Sequence, residues 1–310
     1  MRPLADQTIL ITGATDGLGR ALAADCAAAG ATVLIHGRDD ARGHRTIADI
    51  RARAANPNLC WLRADFTSLD EARSLAQHVT REQGRLDVLV NNAGIGATTG
   101  GDRGRMESRD GHELRFAVNY LAGYLLTRLL LPLLEQSAPA RIVNISSAGQ
   151  APIDFEDVML ERRYDGVRAY RQSKLAQIMF TLDLAEELRG RGVTATCLHP
   201  ATYMPTKIVL ADRVTPASSL EDGVRATARL VADPELDGVT GRYFNGLRPG
   251  DPHPQAYDLD ARRRLRELSE RLVGFLGPSG TEPSEPGPST KWGRGQTDLP
   301  REVSHHTRRQ

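Results

Sequence analysis

Lysine is nearly missing from this 310-residue chain: Lys174, Lys207 and Lys291 are the only three among 40 basic residues. Arginine carries the remaining positive charge, and 39 acidic residues balance the total to a formal net charge of +1. A protein that grips nucleic acid or anionic lipid through its overall field needs a basic excess, so no nucleic-acid partner is expected. Cysteine is equally scarce. Cys26, Cys60 and Cys197 lie far apart, are odd in number and have no histidine at metal-ligand spacing, which argues against a disulfide framework and offers no metal site. A reducing, cytoplasmic setting is the expectation. The opening residues Met1–Gln7 lack the apolar region of a signal peptide and lead directly into a strand. The most apolar stretch, Tyr120–Leu134, is short for a bilayer span and contains Arg128 and Pro132, so it reads as a buried helix and not as a membrane span.

What the chain does have is apolar side chains, at 40%, and 29 glycines, enough for a sizeable core. Strand-like runs at Thr8–Thr12, Ala31–His36, Leu59–Ala64, Leu86–Val90, Arg141–Ser146 and Val193–His199 alternate with helical stretches. The helical stretches are Arg20–Ala29, Arg42–Ala55, Leu69–Gln83, Leu114–Glu135 and Tyr170–Arg189, with a late amphipathic helix at Ala261–Leu272. This alternation predicts an α/β fold, a doubly wound parallel sheet covered by helices on both faces. A single domain is expected over residues 1–274. Residues 275–310, rich in proline, glycine and serine, bury too little to offset their ordering entropy and are expected to be a disordered tail.

The first strand runs into Thr12-Gly13-Ala14-Thr15-Asp16-Gly17-Leu18-Gly19 and then a helix. Glycines let the backbone approach a pyrophosphate, and a helix N-terminus offers unpaired N–H groups and the positive end of a dipole. The spacing is Gly-x3-Gly-x-Gly, and its place at the first strand-to-helix turn makes Thr12, Gly13, Thr15, Asp16, Gly17, Leu18 and Gly19 candidate dinucleotide contacts. The second strand ends His36-Gly37-Arg38-Asp39. An acidic residue at that tip would take a ribose diol and an arginine a 2′-phosphate, so Arg38 favours NADP(H), with NAD(H) the alternative that Asp39 keeps open. Asp65 and Phe66 after the third strand, and Asn91, Ala93 and Gly94 after the fourth, lie at the same sheet edge and are further candidates.

Tyr170 and Lys174 stand four residues apart on one helix face, where a cation favours the phenolate and brings the tyrosine pKa toward neutrality. Ser147 ends a strand at the same edge, where its hydroxyl can polarise a carbonyl, and Asn119 is a polar intrusion in the long apolar helix, suited to anchoring a water.

Taken in order, Thr12–Gly19, Asn91–Gly94, Asn119, Ser147, Tyr170 and Lys174 resemble the short-chain dehydrogenases/reductases, over about residues 5–274. The resemblance implies a Rossmann-type fold, a nicotinamide cofactor and a catalytic tetrad. Tyr170 would be the proton donor in reduction and acceptor in oxidation, and Lys174 would tune it and hold the nicotinamide ribose. Ser147 would orient the carbonyl, and Asn119 would support a proton relay. Pro200 and Thr202 (or Thr206) fall where the family contacts the nicotinamide, although Ala201 replaces the usual glycine. The long stretch Gln150–Val167, together with Thr240–Phe244 and Leu265–Ser269, looks like the retinol-dehydrogenase-like and protochlorophyllide-reductase-like members. With Ile95–Met106 and Tyr203–Val214, that insert is expected to border the substrate.

The expected activity is hydride transfer between NADP(H) and a carbonyl or alcohol of a small apolar or aromatic substrate. Two other readings are a non-catalytic nucleotide-binding redox sensor and a nucleotide-sugar epimerase or dehydratase. The resemblance also implies a homodimer or homotetramer, paired through Leu114–Glu135 and Tyr170–Arg189.

Overall fold

The computed structural model describes residues 1–99, 104–211 and 213–276. The expected tail therefore lies outside the described residues from position 277 onward. Eight strands form one sheet: β1 (Thr8–Ile11), β2 (Thr32–Gly37), β3 (Leu59–Arg63), β4 (Val88–Asn91), β5 (Ala140–Ile145), β6 (Val193–His199), β7 (Arg242–Asn245) and β8 (Arg248–Pro249). Their order is β3-β2-β1-β4-β5-β6-β7-β8, parallel throughout except where β8 returns against β7. The chain reverses its winding between β1 and β4, which pair directly through Ile9–Val88, Leu10–Leu89 and Ile11–Val90. Open α/β sheets bind ligands at such a point, outside the carboxyl ends of the strands.

Side chains alternate across the sheet, as the two-residue period of a strand requires. Ile9, Ile11, Val33, Ile35, Val88 and Val90 pack on one face with α1 (Gly17–Ala28) and α7 (Leu220–Ala232). Leu10, Leu34 and Leu89 pack on the other with α3 (Leu69–Glu82), α4 (Leu114–Gln136) and α5 (Gly166–Glu187). The remaining helices are α2 (Asp40–Ala54), the short α6 (Lys207–Ala211) and α8 (Leu259–Leu272). The α7 helix went unread in the sequence although its start was marked there: Ser219 and Asp222 cap each other in a reciprocal box.

One expectation needs correction. Helix α4 is 23 residues long, long and apolar enough to cross a membrane, so length does not exclude a span. Burial supports the core-helix reading instead, because 78% of its most apolar window is covered inside the fold. The chain's own α8 packs on part of α4 and α5, the helices expected to pair copies: Leu265 is buried, Tyr120 shares a hydrogen bond of 2.7 Å with Ser269, and Arg262 reaches Asp183 at 2.6 Å and Glu186 at 2.9 Å.

Arg262 is only 5% exposed, so its removal strands Asp183 with a single distant partner, Arg266 at 3.4 Å. Arg262→Ala is expected to cost about 2–4 kcal/mol, read as a lower urea midpoint. Replacing the exposed neighbour Arg263 by alanine should leave the midpoint in place.

Candidate active site

The glycine-rich turn is held open by stitches that leave little of it to side-chain chemistry. The Thr12 hydroxyl accepts from the N–H groups of Asn92 (2.9 Å) and Ala93 (3.0 Å), and the Asn92 amide donates back to the carbonyls of Thr12 (2.8 Å) and Gly13 (3.2 Å). Gly13 has φ +65° and lies so close to Ala93 that a Cβ would fall 2.8 Å from its Cα. A Cβ on Gly19 would meet the Asn92 amide at 2.4 Å. Asp16 caps α1 by accepting from the Gly17 N–H at 2.9 Å, and an ion pair ties its carboxylate to Lys207. The Leu18 side chain is buried, so what it and Gly19 present to the cleft is first-turn N–H, which a helix cannot itself satisfy. Thr15 lies against Gly37, where a Cβ would meet its methyl at 2.8 Å.

His36, unassigned from sequence, lies beneath this turn. Its Nδ1 accepts the Gly13 N–H at 3.2 Å, which leaves Nε2 to donate to the Ala64 carbonyl at 3.1 Å. Its ring stacks on Phe66 with centroids 4.3 Å apart. The Phe66 ring is thereby buried as a support, which leaves its main chain to face the sheet edge. Asp65 turns back on its own loop, accepting from Thr67 N at 3.0 Å, with Arg109 at 3.5 Å. At the tip of β2, Asp39 caps α2 by accepting from the Arg42 N–H at 2.9 Å, whereas Arg38 is exposed and forms no ion pair among the described residues.

Asn91 has its side chain held within the fold. It belongs to β4, where its side chain shares the inner face with Leu89 and donates to Thr127 and Asn144, each at 2.8 Å. Asn92 is the residue that touches the glycine turn. Pro200 is buried at the end of β6, and Thr202 is exposed, its hydroxyl 3.1 Å from His199 Nε2. Thr206 packs its methyl toward Gly17, and Ile208 approaches Gly96, so the stretch after β6 lies across both the glycine turn and the segment following β4.

The four residues expected to form a tetrad, Asn119, Ser147, Tyr170 and Lys174, lie on α4, just after β5 and on α5. Of the two adjacent serines, Ser146 is buried and donates to the Lys174 carbonyl at 2.8 Å. Ser147 is half-buried on the open side, its Oγ accepting from Gly149 N at 3.0 Å. The Tyr170 ring lies 5.7 Å from Lys174 Nζ. Lys174 is 5% exposed and donates to the Ile145 carbonyl and the Gln177 amide oxygen, both at 2.9 Å. No carboxylate among the described residues pairs with it, and burial pushes its pKa down to about 7. Asn119 stands in a π-helical turn, Ala117–Leu121, with Ala122 N donating to the Ala117 carbonyl. Such turns recur at functional sites. Its amide accepts from Ile95 N at 2.8 Å and donates to Ile95 O at 3.2 Å and Ser173 Oγ at 3.0 Å, so both of its N–H donors are engaged.

Gly94 keeps a passage open beside these groups. A Cβ there would come 3.3 Å from Asn119 Oδ1 and 3.7 Å from Lys174 Nζ. Glycine turn, unpaired helix N–H groups, Gly94 and the tyrosine–lysine pair line one sheet edge, and together they fit a nicotinamide dinucleotide.

This geometry defines an oxidoreductase site on a doubly wound sheet, and comparison with known proteins agrees. The short chain dehydrogenase family matches residues 7–214, and the chain belongs to the short-chain dehydrogenases/reductases. Within that family it falls in the retinol-dehydrogenase-like subgroup. It is 37% identical to retinol dehydrogenase 13 of Mus musculus over 286 residues, covering 87% of this chain and 84% of the relative. It is likewise 37% identical to human retinol dehydrogenase 14 over 297 residues, covering 87% of each. An uncharacterised protein of Mycobacterium paratuberculosis superposes with a TM-score of 0.71 at 28% identity, over 92% of this chain and 97% of that one. A short chain dehydrogenase of Shigella flexneri, crystallised with NADP, gives 0.63 at 26% identity over 78% and 97%.

Burial pushes the His36 pKa from 6.5 down to about 4. Below about pH 6.5 the unfolded chain therefore takes up a proton that the folded chain refuses, and stability is lost as pH falls toward about 4. This group alone should remove about 3 kcal/mol across that window. Denaturant unfolding at several pH values checks it, with His36→Gln expected to lose that part of the pH dependence.

Proposed function

We propose that the protein is an NADP(H)-dependent oxidoreductase that interconverts a carbonyl and an alcohol on a small apolar or aromatic substrate. The observation that carries this reading is the Tyr170–Lys174 pair on one face of α5, with a desolvated lysine 5.7 Å from the tyrosine ring and no carboxylate paired with it among the described residues. When bound, the cofactor supplies or accepts the hydride. In reduction, Tyr170 gives its phenolic proton to the developing alkoxide, and in oxidation it takes that proton back. Lys174, where protonated, favours the phenolate through its charge. Ser147 Oγ donates to the substrate oxygen and orients it. Asn119 fixes Ile95, and the π turn around it leaves main-chain carbonyl capacity for a water leading toward Lys174.

The NADP(H) preference is supported by Arg38, which is exposed and free for a 2′-phosphate, and by Asp39, whose carboxylate is engaged in capping α2. An apolar substrate is supported by relatives named for retinol dehydrogenation and by half-buried Ile95, Met106, Phe155 and Met159 in the segments expected to border the cleft. The cover that α8 lays over α4 and α5 supports a chain that does not pair through those two helices.

Tyr170→Phe is expected to abolish turnover on a carbonyl panel followed by NADPH absorbance, while NADPH still binds. Retained turnover removes the role given to the phenol. Arg38→Ala should weaken NADPH binding by about 1.5–3 kcal/mol and leave NADH binding nearly unchanged. Titration of both cofactors by fluorescence measures the two affinities, and a wild-type preference for NADH would defeat the NADP(H) reading.

A further inference from the structure

Arg115 is the largest fully buried side chain among the described residues, 2% exposed at the first turn of α4. A charge in that place is costly unless its donors are matched, and the partners it has are informative. Nε donates to the Gly96 carbonyl at 3.1 Å, and Nη2 donates to the carbonyls of Ala97 at 2.5 Å and Thr99 at 2.8 Å. Nη1 donates to Glu113 Oε1 at 3.3 Å and to the Tyr164 hydroxyl. Three carbonyls of one short loop thus converge on a single planar fork, a geometry a lysine could not reproduce. The charge is balanced by Glu113, itself fully buried, whose other oxygen caps α4 by accepting from Phe116 N at 2.7 Å.

The loop so held runs directly from Gly94 beside the tetrad. Its near end is pinned through Ile95 by Asn119, one turn farther along α4, and its far end by Arg115. The other partner of Arg115, Tyr164, belongs to the long insert and immediately precedes the start of α5. There Gly166 packs so closely on the loop that a Cβ would fall 2.5 Å from the Ala97 carbonyl. Across the cleft, Ile208 closes on Gly96. One guanidinium therefore sets the distance between the loop after β4, the insert and the helix that carries Tyr170.

We propose that Arg115 is a positioning residue for the reaction, holding residues 95–99 as a fixed wall of the substrate cleft and tying that wall to the insert through Tyr164. This rests on the oxidoreductase reading above. Arg115 touches neither of the reacting groups, Tyr170 and Ser147, in any described hydrogen bond, and its effect passes through the loop.

The test compares wild type with Arg115→Met, which keeps the stem and removes the fork. Steady-state kinetics are run on whichever carbonyl the wild type reduces, with NADPH affinity and amide hydrogen exchange measured in parallel. A folded Arg115→Met should show about a tenfold higher KM for the carbonyl with kcat little changed. NADPH affinity should hold, and exchange should quicken at 95–99 while α5 stays protected. A purely structural role would lower the melting temperature and leave KM untouched, and that result, or unaltered exchange at 95–99, overturns the proposal. If Arg115→Met does not fold, Tyr164→Phe carries the test: it removes one neutral contact and should raise KM about threefold at a near-native melting temperature. An unchanged KM in that variant overturns the proposal too. Failure of the oxidoreductase reading itself is separately visible, because the wild type would then turn over no carbonyl or alcohol, and the role given to Arg115 would fall with it.

Discussion

The Thr12 hydroxyl and the Asn92 side chain join the ends of β1 and β4 by four hydrogen bonds, and the rest of the catalytic edge is arranged around that join. These are the two strands between which the chain reverses its winding, so no crossover helix fills the space beyond them. The crevice is a consequence of topology, but its shape is a consequence of the stitching. Glycines at 13 and 19 permit the two loops to approach to contact distance, and His36 fixes the turn from below. Polar side chains at this edge thus serve mainly to hold backbone, and backbone N–H groups remain to meet a ligand.

A second constraint is the burial of Lys174. A desolvated ammonium is stabilised by a carboxylate in many proteins, but a carboxylate here would oppose what the lysine must do to the neighbouring phenol. The acceptors are instead neutral: the Ile145 carbonyl and the Gln177 amide. Gln177 is part of a wider neutral lattice, in which Asn91 donates to Asn144, Asn144 to Thr181, and Thr181 to the Gln177 carbonyl. The lattice crosses β4, β5 and α5 without placing a single formal charge beside the lysine.

Much of this was legible in the sequence. The alternation of β-branched runs with helical stretches gave six strands and the helices between them, because a sheet buried on both faces leaves a strong apolar signature. The end of β5 separates the two adjacent serines, Ser146 turning inward and Ser147 toward the open side. Less legible were the places where one residue of register decides which side chain makes a contact. The β4 strand runs one position beyond the expected Val90, so the Asn91 side chain turns inward and that of Asn92 meets the glycine turn. The stack of His36 on Phe66 left no mark in the sequence. Arg115 gave no signal at all, because an arginine at a helix start reads as a solvated charge, and only tertiary structure shows three carbonyls converging on it.

The π turn at Ala117–Leu121 also bears on how this chain can change length. Such a turn holds one residue more than the α-helical turn it replaces, so deleting one residue there would close it to α-helix, leave the flanking halves in register and remove the spare carbonyl that the wider turn leaves. All five of its residues are buried, and Asn119 and Tyr120 have specific partners, so side-chain identity is constrained there as well as length.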